Sequence, residues 1–220
     1  MASGVGPPTG VPTSYAGRTP LWVDTTNNTT YYYSGSAWVA LVNTTGSGGG
    51  MVRIAQVVCS GSQATVVFGS IPSGYTNLMI VARGRDTTAG TSDSNAFLFM
   101  NADQTTLNYD QTEALVVGNA SVSSAQPATS TTGGVIATFP NNGATTGRAS
   151  TWQILIPNYT DTVFFKQVFS TGYEPIGTGT IAFLYMRGFE WKSTAAITTL
   201  TFTAGTAFLN GSIFTLYGIA

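Results

Sequence analysis

Three groups of acidic residues are the part of the sequence that could do chemistry. They are Asp86 with Asp93, Asp103 with Asp110 and Glu113, and Glu174 with Glu190. A pair of carboxyl groups that face one cleft could act as the acid and the base or nucleophile of a glycoside hydrolase. Each group flanks residues that favour turns, as in RDTTAGTSDSN at 85–95, where Asp accepts hydrogen bonds from the neighbouring backbone. We therefore expect these residues to cap turns, and a polysaccharide-degrading enzyme is a remote alternative.

Other catalytic chemistries lack their usual residues. The 220 residues include no histidine, which is the commonest general base and a frequent zinc ligand. No glycine-rich segment joins a predicted strand to a predicted helix, as a phosphate-binding loop would. The single cysteine, Cys59, lies in the apolar run IAQVVCS, so we expect a buried and unreactive thiol. The sequence thus predicts no catalytic residue, no cofactor and no metal site.

Aromatic side chains are the remaining candidates for binding. Tyr173 and Trp191 lie near the ends of predicted strands, where an exposed ring could stack on a sugar. Packing in the core or at a subunit interface is the competing interpretation, and it is the one we favour. A glycan contact through Tyr173 and Trp191 is the second hypothesis.

The composition indicates a β protein with a weak electrostatic field. Thr, Val, Ile, Phe and Tyr favour strands, and Gly, Asn, Ser and Pro favour turns. With 8 basic and 9 acidic residues, neither nucleic acid nor a membrane surface is an expected partner. No apolar run approaches the roughly 18 residues of a membrane span. The opening MASGVGPPTG lacks the basic and apolar regions of a secretory signal, so we expect synthesis in a cytoplasm.

Residues 51–220 contain a series of segments with the composition and spacing of strands. They span 52–59, 64–68, 77–84, 95–101, 113–118, 134–139, 151–157, 163–169, 180–190, 197–203 and 212–219. Within them, alternation places Trp152, Ile154 and Ile156 on one face. The pattern predicts an all-β fold, an antiparallel jelly-roll-like β-sandwich. The polar segment 119–133 is predicted to be a solvated loop.

The residues before position 51 divide into three parts. Residues 1–20 are rich in proline and glycine, so we expect an extended N-terminal arm. Residues 21–45 predict a small aromatic β-hairpin module. Residues 46–50, GSGGG, have the composition of a flexible linker to the sandwich domain at 51–220.

The hairpin module is predicted to pack against copies of itself. Its turns are predicted at 27–28 and 34–36, where Asn, Ser and Gly tolerate turn conformations. A unit this small buries little surface, so large aromatic side chains must supply most of the burial. The candidate packing residues are Trp22, Tyr31, Tyr32, Tyr33 and Trp38.

An ordered set of motifs resembles bacteriophage structural proteins. GRTPLWVDTTNNTTYYYSGSAWVAL at 17–41 is similar to a small module near the N-terminus of phage fibre and spike proteins. The rest resembles a β-domain of phage minor structural proteins. The matching segments are IPSGYTNLMIVARGR (71–85), FLFMNAD (97–103), NYD (108–110), QILIPNYTDTVFFKQV (153–168), WKSTAAITTLTF (191–202) and GSIFTLYGI (211–219).

The resemblance implies a non-enzymatic component of the virion surface, usually trimeric and displayed on a capsid or tail. It implies that the arm docks on capsid or tail proteins and that the outer domain adheres to host-surface polysaccharide. The protein would then be made in the cytoplasm of a bacterial host. Long fibres have a coiled-coil or repetitive shaft and this chain has none, which implies a short spike. A capsid cement or decoration protein that stabilises the shell is the alternative.

Overall fold

The computed structural model describes residues 2–10, 20–26, 29–40, 50–105, 107–117, 122–130, 133–175 and 182–220. All the regular secondary structure in these ranges is β-strand, as the composition predicts. The same ranges include no helix that could span a membrane. The chain divides into two compact units, Met1–Gly50 with Ala220, and Met51–Ile219.

The first unit is a four-stranded sheet in sequence order. Its strands are β1 (Ala2–Gly4), β2 (Leu21–Asp24), β3 (Thr29–Tyr33) and β4 (Trp38–Ala40). β1 pairs in parallel with β2, and the other pairs are antiparallel. Three residues of the predicted arm are therefore part of the sheet. A side chain at Gly4 would overlap the Trp22 ring, with a Cβ only 2.5 Å from Cζ2, so glycine allows the tryptophan to lie over β1.

A tight turn joins β3 to β4, as predicted for residues 34–36. The Ser34 amide donates to the Ala37 carbonyl at 2.8 Å, and Gly35 has a φ of 98°, a left-handed conformation that favours glycine. The turn predicted at 27–28, residues 11–19 of the arm and residues 46–49 of the linker lie outside the described residues.

The second unit contains twelve strands in two sheets, and every strand pair in it is antiparallel. They are β5 (Met51–Val58), β6 (Gln63–Phe68), β7 (Asn77–Gly84), β8 (Asp93–Met100), β9 (Tyr109–Val117), β10 (Val122–Ser130), β11 (Gly134–Pro140), β12 (Ser150–Ile156), β13 (Lys166–Pro175), β14 (Ala182–Trp191), β15 (Leu200–Phe208) and β16 (Ile213–Ile219).

The strand order is that of a jelly roll widened by two hairpins. The eight-stranded sheet has the order β10-β9-β14-β13-β12-β7-β16-β5, and the four-stranded sheet has the order β11-β8-β15-β6. When the hairpins β9–β10 and β13–β14 are left out, eight strands remain: β5 to β8, β11, β12, β15 and β16. Counted in chain order, the large sheet then holds the sixth, third, eighth and first of these strands, which are β12, β7, β16 and β5. The second sheet holds the fifth, fourth, seventh and second. This is the jelly-roll arrangement of two Greek keys, and it confirms the predicted sandwich.

Several predicted boundaries differ from those of the structure. The segment 119–133 contains β10, which pairs with β9 at the edge of the large sheet. Its register shifts between Ala125 and Ala128, around Pro127, and an edge strand with a bulge tolerates proline. Residues 163–165, predicted as strand, precede β13, which runs on to Pro175 and not only to 169. The strand predicted at 197–203 is Leu200–Phe208.

The core lies between the inner faces of the two sheets. On β12 the side chains of Trp152, Ile154 and Ile156 are fully buried and alternate with exposed neighbours, as predicted. A cluster of phenylalanines joins the sheets, with Phe214 ring centroids 4.7 Å from Phe208 and 6.0 Å from Phe139. Each buried ring contributes about 1.5–3 kcal/mol to folding through the hydrophobic effect.

The inserted hairpins extend the large sheet past β11, which is the edge strand of the small sheet. Side chains of the large sheet donate hydrogen bonds to buried carbonyl groups of β11. Ser150 Oγ and Trp152 Nε1 donate to the Thr138 carbonyl at 2.7 and 2.9 Å, and Ser170 Oγ donates to Ile136 at 2.7 Å. Buried backbone carbonyls need such partners, so this inner face takes the place of a further strand.

Gly172 on β13 and Gly188 on β14 should respond differently to substitution by alanine. A Cβ at Gly172 would overlap the Trp152 ring, whereas a Cβ at Gly188 meets only ordinary contacts of 3.6 Å or more. Gly172→Ala should lower the free energy of unfolding by roughly 1–3 kcal/mol through overpacking. Gly188→Ala should change it by no more than about 1 kcal/mol. Chemical denaturation measures both, and equal effects would contradict this packing.

Candidate functional site

The structure separates Glu174 from Glu190. Glu174 lies on the inner face of β13, opposite Phe183, and Glu190 lies near the other end of β14, opposite Gln167. Asp86 is buried and its Oδ1 accepts a hydrogen bond from the Thr88 amide at 2.6 Å. Asp86 therefore caps a turn, as expected, and the pairing of Glu174 with Glu190 is wrong.

Asp103, Asp110 and Glu113 do not face one another either. Asp110 forms an ion pair with Lys192 at 2.8 Å, and Glu113 forms one with the buried Arg187 at 2.5 Å. Residues 110 and 113 have opposite parity along β9, so they lie on opposite faces of the sheet. Asp103 lies in the connection between β8 and β9. A shared cleft for these carboxylates does not form.

Asp103 anchors the loop that contains it. Its carboxylate accepts hydrogen bonds from the Thr105 amide at 2.8 Å, from Asn108 Nδ2 at 2.9 Å and from Trp191 Nε1 at 2.7 Å. Desolvation by itself would raise the pKa of Asp103, but the hydrogen bonds from Trp191, Thr105 and Asn108 outweigh it and lower the pKa to about 2. A carboxylate held in this way is a structural link.

Glu174 has neighbours that its position in the sequence does not predict. Its side chain is fully buried, and the charged groups that act on it are Asp93 and Arg187. Thr138 lies beside it, but neither its hydroxyl nor either Glu174 oxygen has a hydrogen-bond partner in the described part of the chain. The Arg187 guanidinium lies 4.4 Å from the centre of the Tyr185 ring. The result is a compact polar cluster inside the sandwich.

The protonation of Glu174 follows from its burial. Desolvation raises the pKa of the carboxyl to about 8, and the Asp93 carboxylate adds to the rise, while Thr138 and Arg187 act against it. Glu174 is therefore neutral at pH 7. The neutral acid avoids most of the cost of an ion in the core, and a fully buried carboxyl contacts no ligand from solvent.

The predicted reactive and binding side chains divide between core and surface. Cys59 is 1% exposed, and burial raises the pKa of its thiol. Trp191 is 3% exposed and its indole faces Asp103, so it packs in the core. Tyr173 is 54% exposed on the outer face of β13. The two residues proposed for glycan contact thus lie on opposite faces of the sheet, and only Tyr173 presents its ring to solvent.

Four of the five candidate packing residues in the first unit share one face of its sheet. Trp22 pairs with Tyr31, and Tyr33 pairs with Trp38, with the last two rings packed edge to face at 5.4 Å. Tyr32 lies on the opposite face. All five side chains are only partly buried, so both faces of the small sheet present aromatic surface.

The outer face of the eight-stranded sheet is an exposed apolar surface of the second unit, and the loop before β13 exposes a second one at Val163, Phe164 and Phe165. Large apolar side chains stand on three adjacent strands, β12, β13 and β14, and the most exposed of them is Met186 at 60%. They are Leu155, Phe169, Tyr173, Leu184 and Met186. We call this set the outer patch. Sequence reasoning identified only Tyr173, although the alternation in KQVFSTGYEP places Phe169 on the same face.

Comparison of the chain with protein-family models, curated proteins and solved structures found no match in any of the three. The candidate site is therefore defined by geometry. The polar cluster around Glu174 is enclosed, and the outer patch is open to solvent. The outer patch is the better candidate for contact with a partner, because large contiguous apolar surfaces mark interaction sites.

The buried acid predicts a pH-dependent stability. The folded pKa of Glu174 is about 8 against an ordinary value of 4.5, so the folded chain keeps a proton that the unfolded chain loses between these values. This stabilisation is complete below about pH 4, declines as the pH rises, and is lost above about pH 8. Between about pH 5 and pH 9, wild type should lose about 2–4 kcal/mol of unfolding free energy relative to Glu174→Gln.

Denaturation at a series of pH values measures this difference. Glu190→Gln is the matched control, because it removes the same charge from the outer face and should follow the wild-type profile. A Glu174→Gln profile parallel to that of wild type would show that Glu174 is ionised in the folded chain.

Proposed function

We propose that this chain is a non-enzymatic bacteriophage virion surface protein, a short homotrimeric spike on a capsid or tail. Its N-terminal segment docks on capsid or tail proteins, and its sandwich adheres to host-surface polysaccharide. The single observation that supports a binding role best is the outer patch, where apolar and aromatic side chains remain exposed on adjacent strands. Aromatic rings such as those of Tyr173 and Phe169 can stack on the apolar face of a sugar.

The geometry of the sandwich suits display from one end. β5 begins at Met51, and β16 ends at Ile219, which pairs with Met51. The chain therefore enters and leaves the sandwich at the same end. The loops at 59–62, 85–92, 141–149 and 209–212 lie at the opposite end, because each joins the far ends of the strands. A sandwich attached at Met51 would present those loops and the sides of both sheets to its surroundings.

The small N-terminal sheet supports the trimeric part of the proposal. A single sheet buries its apolar side chains only when another element covers its face. Partly exposed rings on both of its faces supply the surface that neighbouring copies would cover. In the trimer, the face with Trp22, Tyr31 and Trp38 is buried against the other copies.

The mass in solution tests the trimer. Light scattering on the full chain should give a mass of three times 22.9 kDa. The shortened chain 51–220 should give the mass of its own monomer. Tyr31→Lys should reduce the mass of the full chain to that of a monomer, because a buried cation without a partner is costly. Val67→Lys, at an exposed position of β6, is the matched control and should stay trimeric. A monomeric wild type, or a trimeric Tyr31→Lys, would rule out assembly through this sheet.

Particles that lack the protein distinguish the spike from the capsid cement. The spike predicts reduced adsorption to host cells with unchanged heat resistance of the particles. Lower heat resistance with normal adsorption would instead support the decoration protein. Particles made with a chain lacking residues 1–20 should contain none of the protein if this segment is the anchor, and normal incorporation would remove the anchoring role.

A further inference from the structure

A depression of about 320 Å³ opens on the outer face of the large sheet, next to the outer patch. Strands β9, β13 and β14 line it, and Gly188 is one of the lining residues. Phe169 pairs with Gly188 on one side, and Thr112 pairs with it on the other. The missing side chain at position 188 therefore leaves a space between an aromatic ring and a threonine.

The fold does not require a glycine at position 188. Gly188 is not among the glycines with a left-handed φ. A Cβ at this position would meet Val168 O at 3.6 Å, Phe169 Cδ1 at 3.7 Å and Thr112 Cγ2 at 3.9 Å, which are ordinary contacts. Glycine within a strand costs about 0.5–1 kcal/mol relative to alanine. Glycine within a strand often marks a bulge, a tight bend or a place where a ligand or another backbone approaches closely, and the register on both sides of Gly188 has no bulge.

Polar side chains form one border of the depression. Gln167, Glu190 and Asp110 pair across β13, β14 and β9, and all three line the space. Their row lies about 7 Å along the strands from the row of Phe169 and Gly188, since residues i and i+2 share a face. An exposed aromatic ring thus stands beside two carboxylates and one amide.

This combination matches the two kinds of surface on a pyranose sugar. The C–H face of the ring stacks on an aromatic side chain, and the hydroxyl groups donate to carboxylate and amide oxygens. The volume is at the lower end of the range of ligand pockets, roughly 300–1,000 Å³. Two carboxylates, Asp110 and Glu190, line the depression, and Lys192 is paired with Asp110, so a negatively charged sugar is disfavoured.

We propose that the depression at Gly188 is a binding site for an uncharged pyranose unit, with Phe169 as the stacking ring and Gln167, Glu190 and Asp110 as hydroxyl acceptors. The proposal rests on the proposed adhesion to polysaccharide and assigns it to one surface. Tyr173 lies four residues beyond Phe169 on the same face, about 14 Å away. It can contact further units of a polysaccharide that is bound at the depression.

The test uses the full-length chain and two kinds of probe. The first is a set of methyl glycosides of glucose, galactose, mannose and N-acetylglucosamine, with glucuronic acid as the acidic comparison, observed by saturation-transfer NMR and titration. The second is polysaccharide from the surface of bacteria that the virion infects. Phe169→Ala removes the ring and Gly188→Val fills the floor. Phe164→Ala is the matched control, because Phe164 is an exposed phenylalanine that does not line the depression.

We expect at least one neutral glycoside to bind, with glucuronic acid weaker. Phe169→Ala and Gly188→Val should each weaken binding of that glycoside at least about tenfold, a change equivalent to about 1.4 kcal/mol. Phe164→Ala should leave it unchanged. Tyr173→Ala should weaken polysaccharide binding and leave the glycoside affinity unchanged. Denaturation curves of the variants establish that they fold.

Different results would overturn the sugar site at Gly188 and the adhesion to polysaccharide. Polysaccharide binding that survives both Phe169→Ala and Gly188→Val would overturn the site at Gly188 and leave adhesion intact. A wild-type chain that binds no polysaccharide and no glycoside would overturn the adhesion as well. A fall in oligomer mass on Phe169→Ala would show that another copy of the chain occupies the depression, and would overturn the sugar site.

Discussion

The interaction on which the sandwich depends is the capping of β11 from across the core. β11 is the edge strand of the smaller sheet, and its carbonyl groups are turned towards side chains of the larger one. Ser150, Trp152 and Ser170 supply the donors. Buried carbonyls without partners would each cost about 1–3 kcal/mol, so β12, with Ser150 and Trp152, and the inserted β13, with Ser170, stabilise the edge of the small sheet. The overlap predicted at Gly172 follows from the same arrangement, since Trp152 must cross that residue to reach Thr138.

The few charged side chains serve mainly internal purposes. Arg85 donates to the carbonyls of Asn141, Asn142 and Ala144, at 2.9–3.0 Å, and fixes the loop that follows β11. Arg187 stacks on Tyr185 and pairs with Glu113. The carboxylates of Asp110 and Glu190 remain on the outer face, where they border its apolar side chains. A low charge content goes with a surface whose contacts depend mainly on shape and apolar area.

The sequence predicts strands well where side chains alternate and poorly where backbone pairing decides. β12 follows a clear alternation of buried and exposed residues, whereas β10 is polar, contains Pro127 and forms because β9 offers an edge. The acidic groups illustrate a second limit. Glu174 and Asp93 belong to different groups along the chain, and only the register of two sheets places them near each other. The alternation along β14 could have shown that Trp191 is buried, because Trp191 lies on the same face as the apolar Phe189 and Tyr185. It would then have been distinguished from Tyr173, which is exposed on β13.

The joining of Met51 and Ile219 at one end of the sandwich has a mechanical consequence. The strands of the second unit run along the axis that leads away from that end, and β5 is hydrogen-bonded to β16 along most of its length. A pull between Met51 and the opposite end of the sandwich would load these hydrogen bonds in shear, because they lie across the strands. Bonds loaded in shear resist together, whereas bonds that are peeled apart fail one after another. The pairing of β5 with β16 would thus resist a load applied between Met51 and the opposite end of the sandwich.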